Sequence, residues 1–91
     1  MKTINDPSYL RFLIKLRDAR IAAHISQEEL ARRLRKHQTF VSKIETAQRT
    51  LDLLDFLIWA REIGSEPKGL LEDFIEEVQH RKPRIRKVAR E

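Results

Sequence analysis

Cysteine is absent from the 91 residues of this chain, so neither a disulfide nor a cysteine-based metal site can stabilise the fold. The three histidines, His24, His37 and His80, lie far apart and do not have the spacing of metal ligands. No apolar run approaches the roughly 20 residues of a membrane span, and the polar N-terminus lacks the apolar region of a signal peptide. We therefore expect one small, soluble, cytoplasmic domain that needs no metal or other cofactor and no membrane.

Catalytic signatures are also absent from the sequence. It contains no nucleophile beside a base, no set of metal ligands and no phosphate-binding loop, and it has only two glycines. A body of this size is too small for a deep substrate pocket. We therefore do not expect an enzyme.

Charge is unevenly distributed along the chain. Residues 81–91 hold six basic groups and one acidic group, whereas residues 1–80 are neutral overall. Within those residues the basic groups are in excess up to position 51 and the acidic groups from position 52 onward. This asymmetry fits a polyanion bound by the N-terminal half, although ordinary surface charge would give the same totals.

Helical signals occur five times, and nothing in the sequence alternates like a strand. Asp6 followed by Pro7 is a typical helix start, Ser26 and Glu29 form a capping box, and Gly64 can end a helix. The predicted helices cover about 6–23, 26–34, 38–46 and 52–63, and a fifth runs from Pro67 to a stop at Pro83. The sequence therefore predicts an all-α fold with short connections.

Apolar residues at helical spacing should form the core. The inward-facing residues are predicted to be Leu10, Leu13, Ile14, Leu16 and Ile21 in the first helix, Leu53, Phe56, Leu57, Ala60 and Ile63 in the fourth, and Leu70, Leu71, Phe74, Ile75 and Val78 in the fifth. The fourth helix also carries Leu54, Ile58 and Trp59 away from this stripe. Exposed apolar patches of this kind usually mark an interface, so we expect a homodimer through the fourth and fifth helices. Packing of these residues beneath the fifth helix or the tail is the alternative.

The segment at about 27–46 has the pattern of a helix-turn-helix motif. Two helices that cross within so short a connection need a small residue at the crossing and apolar residues on their inner faces. Ala31 supplies the small residue. Leu30, Leu34, Val41 and Ile44 supply the apolar ones, each at the required spacing.

The surrounding sequence resembles the Xre family of helix-turn-helix regulators, the group of the phage Cro and repressor DNA-binding domains. The resemblance covers roughly residues 12–75, and its strongest marks are Arg20, "SQEELA" at 26–31, "FVSKIE" at 40–45 and "LDLLDF" at 51–56. It implies a five-helix Cro/repressor-like domain at 1–80 that binds operator DNA, usually as a dimer, and that has no enzyme activity.

The chain departs from the family pattern at positions where glycine is usual, which here are His24, Arg35 and Ala47. Glycine serves there because the backbone often adopts positive φ, which other residues adopt at a cost of about 1 kcal/mol. Lys36 also replaces a common apolar residue of the turn. We expect some strain in the turn, which a packed domain can absorb.

The resemblance also indicates which residues would touch DNA. The third helix is expected to lie in the major groove, and Gln38 is the leading base-reading residue because an amide can bond both N7 and N6 of adenine. The expected base contacts are Gln38, Thr39, Ser42 and Lys43. The expected backbone contacts are Ser26, Gln27, His37, Thr46, Gln48 and Arg49.

Four residues near this surface have further expected roles. Family resemblance implies that Arg20 and Glu45 form a partly buried, structural ion pair, and that Gln27 can brace the amide of Gln38. Phe40 could pack either on a thymine methyl group or against the helical bundle, and the sequence leaves both open.

The basic tail, residues 81–91, has three possible roles. It could lie along phosphates and add a sequence-independent, salt-sensitive attraction to DNA, or enter a minor groove. It could also be a mobile, solubilising end.

Two functions remain open at this point. The first is a dimeric, sequence-specific DNA-binding transcription regulator, most simply a repressor of a pseudo-palindromic operator. The alternative is an antitoxin or other interaction module whose main partner is a protein such as a toxin, with DNA binding secondary. Gln27, Gln38 and Arg49 on one face favour DNA.

Overall fold

Five α-helices make up the domain in the computed structural model, which describes residues 4–81. They are α1 (Pro7–Ala22), α2 (Gln27–Leu34), α3 (Gln38–Glu45), α4 (Leu53–Glu62) and α5 (Pro67–Gln79). The all-α, five-helix prediction is therefore confirmed, and residues 4–81 include no strand. The tail beyond Arg81 lies outside the described residues. No helix in the described part of the chain is long and apolar enough to cross a membrane.

Side-chain caps set the starts of three helices. The carboxylate of Asp6 accepts the backbone N–H groups of Ser8 and Tyr9 at 2.9 and 3.1 Å. Ser26 and Asp52 accept the N–H three residues later, at 3.0 and 2.8 Å. These bonds satisfy N–H groups that have no partner within the helix, so the capping residues determine where α1, α2 and α4 begin.

The core lies where all five helices meet. Phe12, Leu13 and Leu16 of α1 are buried with the inner faces of the other helices, and the largest wholly buried side chain is Trp59. Phe12 stacks on Phe74 of α5 at a centroid separation of 5.2 Å. Helices α2 and α3 pack on each other and on α4 and α1, while α5 closes the bundle against α1.

The inward faces of three helices differ from the prediction. Seven apolar residues expected inside are exposed: Leu10, Ile14, Ile21, Leu53, Leu57, Ile75 and Val78. Trp59, expected on the outer surface of α4, is completely buried instead, and Ile58 is half-buried. The sequence of α4 is apolar on almost every side, so helical spacing alone does not fix its rotation. The large indole ring takes the core position, because its burial removes the most apolar surface from water.

Left-handed residues follow the first four helices. His24, Arg35 and Ala47 have φ values of 61°, 61° and 64°, and Gly64 has 72°. In each case the next residue donates its N–H to the carbonyl five residues earlier, as Lys36 does to Ala31 at 2.9 Å. This arrangement satisfies carbonyl groups at a helix end. Only one of the four positions is glycine, so three side chains occupy a conformation that costs them about 1 kcal/mol or more.

A buried ion pair joins α1 to α3. Arg20 Nε donates to Glu45 Oε2 at 2.7 Å and Nη2 donates to Oε1 at 3.0 Å. The two side chains are only 9% and 2% exposed. The guanidinium also donates to the carbonyl of Ile25 at 2.8 Å. Two parallel bonds between planar groups fix the relative position of the two helices more tightly than a single contact would.

The two ends of the described chain meet at the start of α1. Arg81 donates to both carboxylate oxygens of Asp6 at 3.1 and 3.2 Å, and to the hydroxyl of Ser8 at 3.0 Å. The bond from Arg81 is the main cause that lowers the pKa of the Asp6 carboxyl below its usual value. The backbone N–H of Ile4 donates to the carbonyl of Ala47 at 2.8 Å. The described chain therefore ends beside α1, on the side where the loop after α3 passes.

Replacing Arg35 by glycine should stabilise the domain by about 1 kcal/mol, because glycine adopts the left-handed conformation without the steric cost. Urea denaturation of the wild type and the Arg35→Gly variant measures the difference in unfolding free energy. Arg17→Gly, on the exposed face of α1, is the matched control and should destabilise by about 1 kcal/mol. Equal destabilisation by both substitutions would contradict this interpretation of the turn.

Replacing Glu45 by glutamine should lower the unfolding free energy by about 3–5 kcal/mol, because the buried Arg20 charge then has no compensating charge. The Arg20→Met, Glu45→Leu double variant removes both charges and should recover most of that loss. Thermal and urea denaturation measure the three proteins. A single substitution costing less than about 1 kcal/mol would show that the pair is hydrated and contributes little.

Candidate nucleic-acid interface

Helix α3 is half-embedded in the domain. Its residues Phe40, Val41 and Ile44 are buried against the bundle, whereas Gln38, Thr39 and Lys43 are exposed on the opposite side. Apolar residues three or four positions apart produce this division, because they lie on one face of a helix. The polar face of α3 is therefore held outward on a rigid support.

A chain of hydrogen bonds leads from the buried ion pair to this outer face. Glu45 Oε1, which accepts from Arg20, also accepts from Gln27 Nε2 at 2.9 Å. The other end of the Gln27 amide, Oε1, accepts from Gln38 Nε2 at 2.7 Å. Four side chains from α1, α2 and α3 are thus connected in the order Arg20, Glu45, Gln27 and Gln38, from the interior to the surface.

The carboxylate of Glu45 determines which way both amides face. An ionised carboxylate can only accept hydrogen bonds, so Gln27 must present its NH2 group to Glu45 and its oxygen to Gln38. Gln38 must in turn donate. The carbonyl oxygen and the second N–H of Gln38 then remain free at the surface. These are the two groups that pair with N6 and N7 of adenine.

The residues expected to touch the DNA backbone are spread around α3. His37 precedes the helix as its N-cap residue, and its side chain makes no capping bond among the described residues. Thr46 donates its hydroxyl to the carbonyl of Ser42 at 2.7 Å and accepts from Gln48 Nε2 at 2.9 Å. The hydroxyl of Ser26 accepts from the N–H of Glu29. Ser26 and Thr46 therefore have structural roles, while His37 and Gln48 are exposed.

A cationic surface lies beside the start of α3. An open cavity of about 330 Å³ is lined by Arg35, Lys36, Lys43 and Arg49 together with His37, Thr39 and Phe40. Phe40 is only 8% exposed, so its ring packs against the bundle. This is the second of the two alternatives that the sequence left open. Lys36 Nζ and Arg49 Cζ each lie 4.9 Å from the centroid of that ring, within the range of cation–π attraction.

Arg32 and Arg33 form hydrogen bonds outside this cationic surface. Arg32 and Arg33 both donate to the carboxylate of Glu29, and Arg33 also donates to the carbonyl of Glu62 at 2.9 Å. The bonds from Arg32 first, and then from Arg33, lower the pKa of Glu29 below its usual value. These two arginines therefore belong to the junction of α2 with its surroundings rather than to the face around α3. Residues 4–81 contain no group of three side chains with the arrangement of a metal site.

Sequence reasoning missed two features of this face. The link between Gln27 and Glu45 was not predicted, although the ion pair and the two glutamines were each named. Lys36 was noted only as an unusual turn residue, because its approach to Phe40 depends on the left-handed turn at Arg35. Four cations against a single acid, Glu45, between 35 and 49 would have been the available signal.

Comparisons with known proteins agree with this geometry. Residues 16–70 match a family model described as helix-turn-helix. Among solved structures, the chain is similar to an XRE-family like protein from Pseudomonas syringae pv. tomato str. DC3000, with 44% sequence identity and a TM-score of 0.72. That match covers 77% of this chain and 85% of the other. No curated protein matches the chain. The expected family is therefore confirmed: this chain belongs to the Xre family of helix-turn-helix proteins and is a DNA-binding transcription regulator, not an enzyme.

Proposed function

We propose that this regulator is a cytoplasmic repressor that binds a pseudo-palindromic operator as a dimer, with α3 in the major groove. The observation that carries the proposal is the orientation of the Gln38 amide, whose free oxygen and N–H match the edge of adenine. Binding at an operator that overlaps a promoter would block transcription without a further partner, and repression is therefore the simplest outcome.

Gln38 is the proposed adenine-reading residue. Thr39, Ser42 and Lys43 lie along the same side of α3 and would contact neighbouring bases. Lys43 can donate to guanine O6 and N7. Ser42 is half-buried, and its hydroxyl makes only a long bond of 3.4 Å to the carbonyl of Thr39, so it can turn toward a base at little cost. A good bidentate pair contributes about 1–3 kcal/mol of discrimination.

The proposed backbone contacts flank α3 on both sides. Gln27 and Ser26 lie at the start of α2, where free N–H groups favour a phosphate. His37, Thr46, Gln48 and Arg49 lie at the two ends of α3. Phosphate contacts from both ends would fix the helix in the groove, while its central residues read the bases.

A dimer through α4 and α5 is the proposed assembly, with a corrected set of residues. Trp59 is removed from the set because it is buried, whereas Leu54 is 67% exposed and Leu53 and Leu57 are 71% and 44% exposed. On α5, Ile75 and Val78 are 47% and 41% exposed. Two open apolar grooves, which share Leu71 and Phe74, join the start of α4 to the outer face of α5. A two-fold axis here would place two recognition helices about 34 Å apart.

A protein partner is the second candidate function. Helix α1 exposes Ile14 and Ile21, at 59% and 50%. An apolar groove lined by Leu10, Leu13 and Ile14 runs beside it toward Thr46 and Ala47. Such a face suits an apolar partner such as a toxin, and DNA binding would then be secondary.

Selection of bound sites from a random duplex library, at a stated moderate salt concentration, tests the proposed function. We expect enrichment of a short inverted repeat with adenine at one fixed position in each half. Gln38→Ala should bind that repeat about 10-fold or more weakly and tolerate any base at the adenine position, because one bidentate contact is lost. Recovery of no common sequence by the wild type would contradict the proposal and favour the protein partner.

Sedimentation at tens of micromolar tests the dimer. We expect the wild type to sediment as a dimer and Leu54→Glu to sediment as a monomer, since a buried unpaired carboxylate is costly. The matched control is Ile14→Glu, which places the same charge on the exposed face of α1 and should leave the dimer intact. A monomeric wild type would exclude this assembly.

A further inference from the structure

Seven of the thirteen lysine and arginine residues between 4 and 81 pair with a carboxylate within 4.0 Å. Within this described part of the chain, six have no such partner, and four of those six line the cavity beside α3. They are Arg35, Lys36, Lys43 and Arg49. No acidic residue is among the described residues that line it. The cations that are not neutralised by the protein itself are thus concentrated at one place.

Phe40 organises two of these cations. Its ring packs against the bundle. Lys36, in the turn before α3, and Arg49, in the loop after α3, both place their charged groups over that ring. A ring that holds a cation lowers the number of conformations that the long side chain must give up when it binds an anion. The two charges are therefore partly preorganised.

The backbone that carries both cations is also fixed. Arg35 lies in the left-handed conformation, and the N–H of Lys36 donates to the carbonyl of Ala31 at 2.9 Å. The N–H groups of Gln48 and Arg49 both donate to the carbonyl of Lys43, at 2.8 and 3.2 Å. The turn is thus hydrogen-bonded to α2 and the loop is hydrogen-bonded to α3. The cavity between them is therefore built from rigid elements.

We propose that Lys36 and Arg49, held on the ring of Phe40, bind the phosphodiester backbone of the operator at the edge of the groove that α3 enters. The proposal rests on the proposed function, which places Gln38 against the bases. Lys36 lies two residues before Gln38, and this places its charge at the wall of the groove rather than at its floor. Lys36 is the new residue in this role, since the family pattern has an apolar residue at its position.

The salt dependence of operator binding tests the proposal. Fluorescence anisotropy with the selected duplex, from 50 to 300 mM KCl, gives the slope of log K against log[salt]. Each phosphate contact contributes about 0.9 to that slope. We expect Lys36→Gln and Arg49→Gln each to lower it by about 0.9, and the double variant by about twice as much. Affinity should fall several-fold for every duplex sequence alike, because phosphates carry no sequence information.

Two further variants separate this contact from a general loss of charge. Lys68→Gln removes an unpaired, exposed cation of α5 and should leave the slope unchanged. Lys36→Arg keeps the charge and the contact with the ring, and should retain the wild-type slope. Both substituted positions are exposed, so circular dichroism should show the same helix content in all variants.

The outcomes distinguish the phosphate contact of Lys36 from the proposed function on which it rests. A Lys36→Gln slope equal to that of the wild type and of Lys68→Gln, with the wild type still bound to its operator, would overturn the phosphate contact alone. Failure of the wild type to bind any duplex in a salt-dependent manner would overturn the proposed function and this contact together.

Discussion

The salt bridge between Arg20 and Glu45 is the interaction on which the rest of the structure depends. It lies at the junction of α1 and α3, almost completely removed from solvent, and two buried charges are tolerable only when each has its full set of partners. Glu45 completes its set through Gln27, and Gln27 completes its own through Gln38. One electrostatic requirement in the interior therefore extends, bond by bond, to the surface that we propose meets DNA.

This connection links stability to recognition. A side-chain amide accepts hydrogen bonds at its oxygen and donates them from its NH2 group, and on a free surface helix Gln38 could turn either of these two ends outward about equally. The carboxylate at the other end of the chain of bonds removes that freedom. A polarised network of this kind rigidifies its members when every group is satisfied, so the bundle supports α3 as a scaffold and also orients the amide that we propose reads a base.

The exterior is divided according to charge and exposure. Of the six cations between 4 and 81 that have no carboxylate partner in that range, four lie around α3, while α5 carries carboxylates that pair with Arg11 and Lys15 of α1. Exposed leucines occupy the start of α4, and none of them is among the described residues that line the cationic cavity. The surfaces proposed for a polyanion and for an apolar partner therefore use different residues, as the proposed dimeric DNA-binding function requires.

Much of this fold could be predicted from the sequence, because the signals are local. The caps at Asp6 and Ser26, and positive φ at His24, Arg35 and Ala47, follow from neighbouring residues and from the family pattern. The rotation of α4 could not be predicted, since apolar residues surround that helix and only tertiary packing decides that Trp59 lies inside. The contact of Lys36 with Phe40 could not be predicted either, because it depends on the path of the backbone through the turn.

A double-mutant cycle on operator binding tests the central claim most directly. The binding free energies of the wild type, Gln27→Ala, Gln38→Ala and the double variant would be measured on one selected operator at one salt concentration. If Gln27 orients Gln38, the two substitutions are coupled by about 1 kcal/mol or more, because losing the brace already disables the reader. Costs that add within about 0.5 kcal/mol would show that Gln38 reads DNA without the network, and would contradict the account.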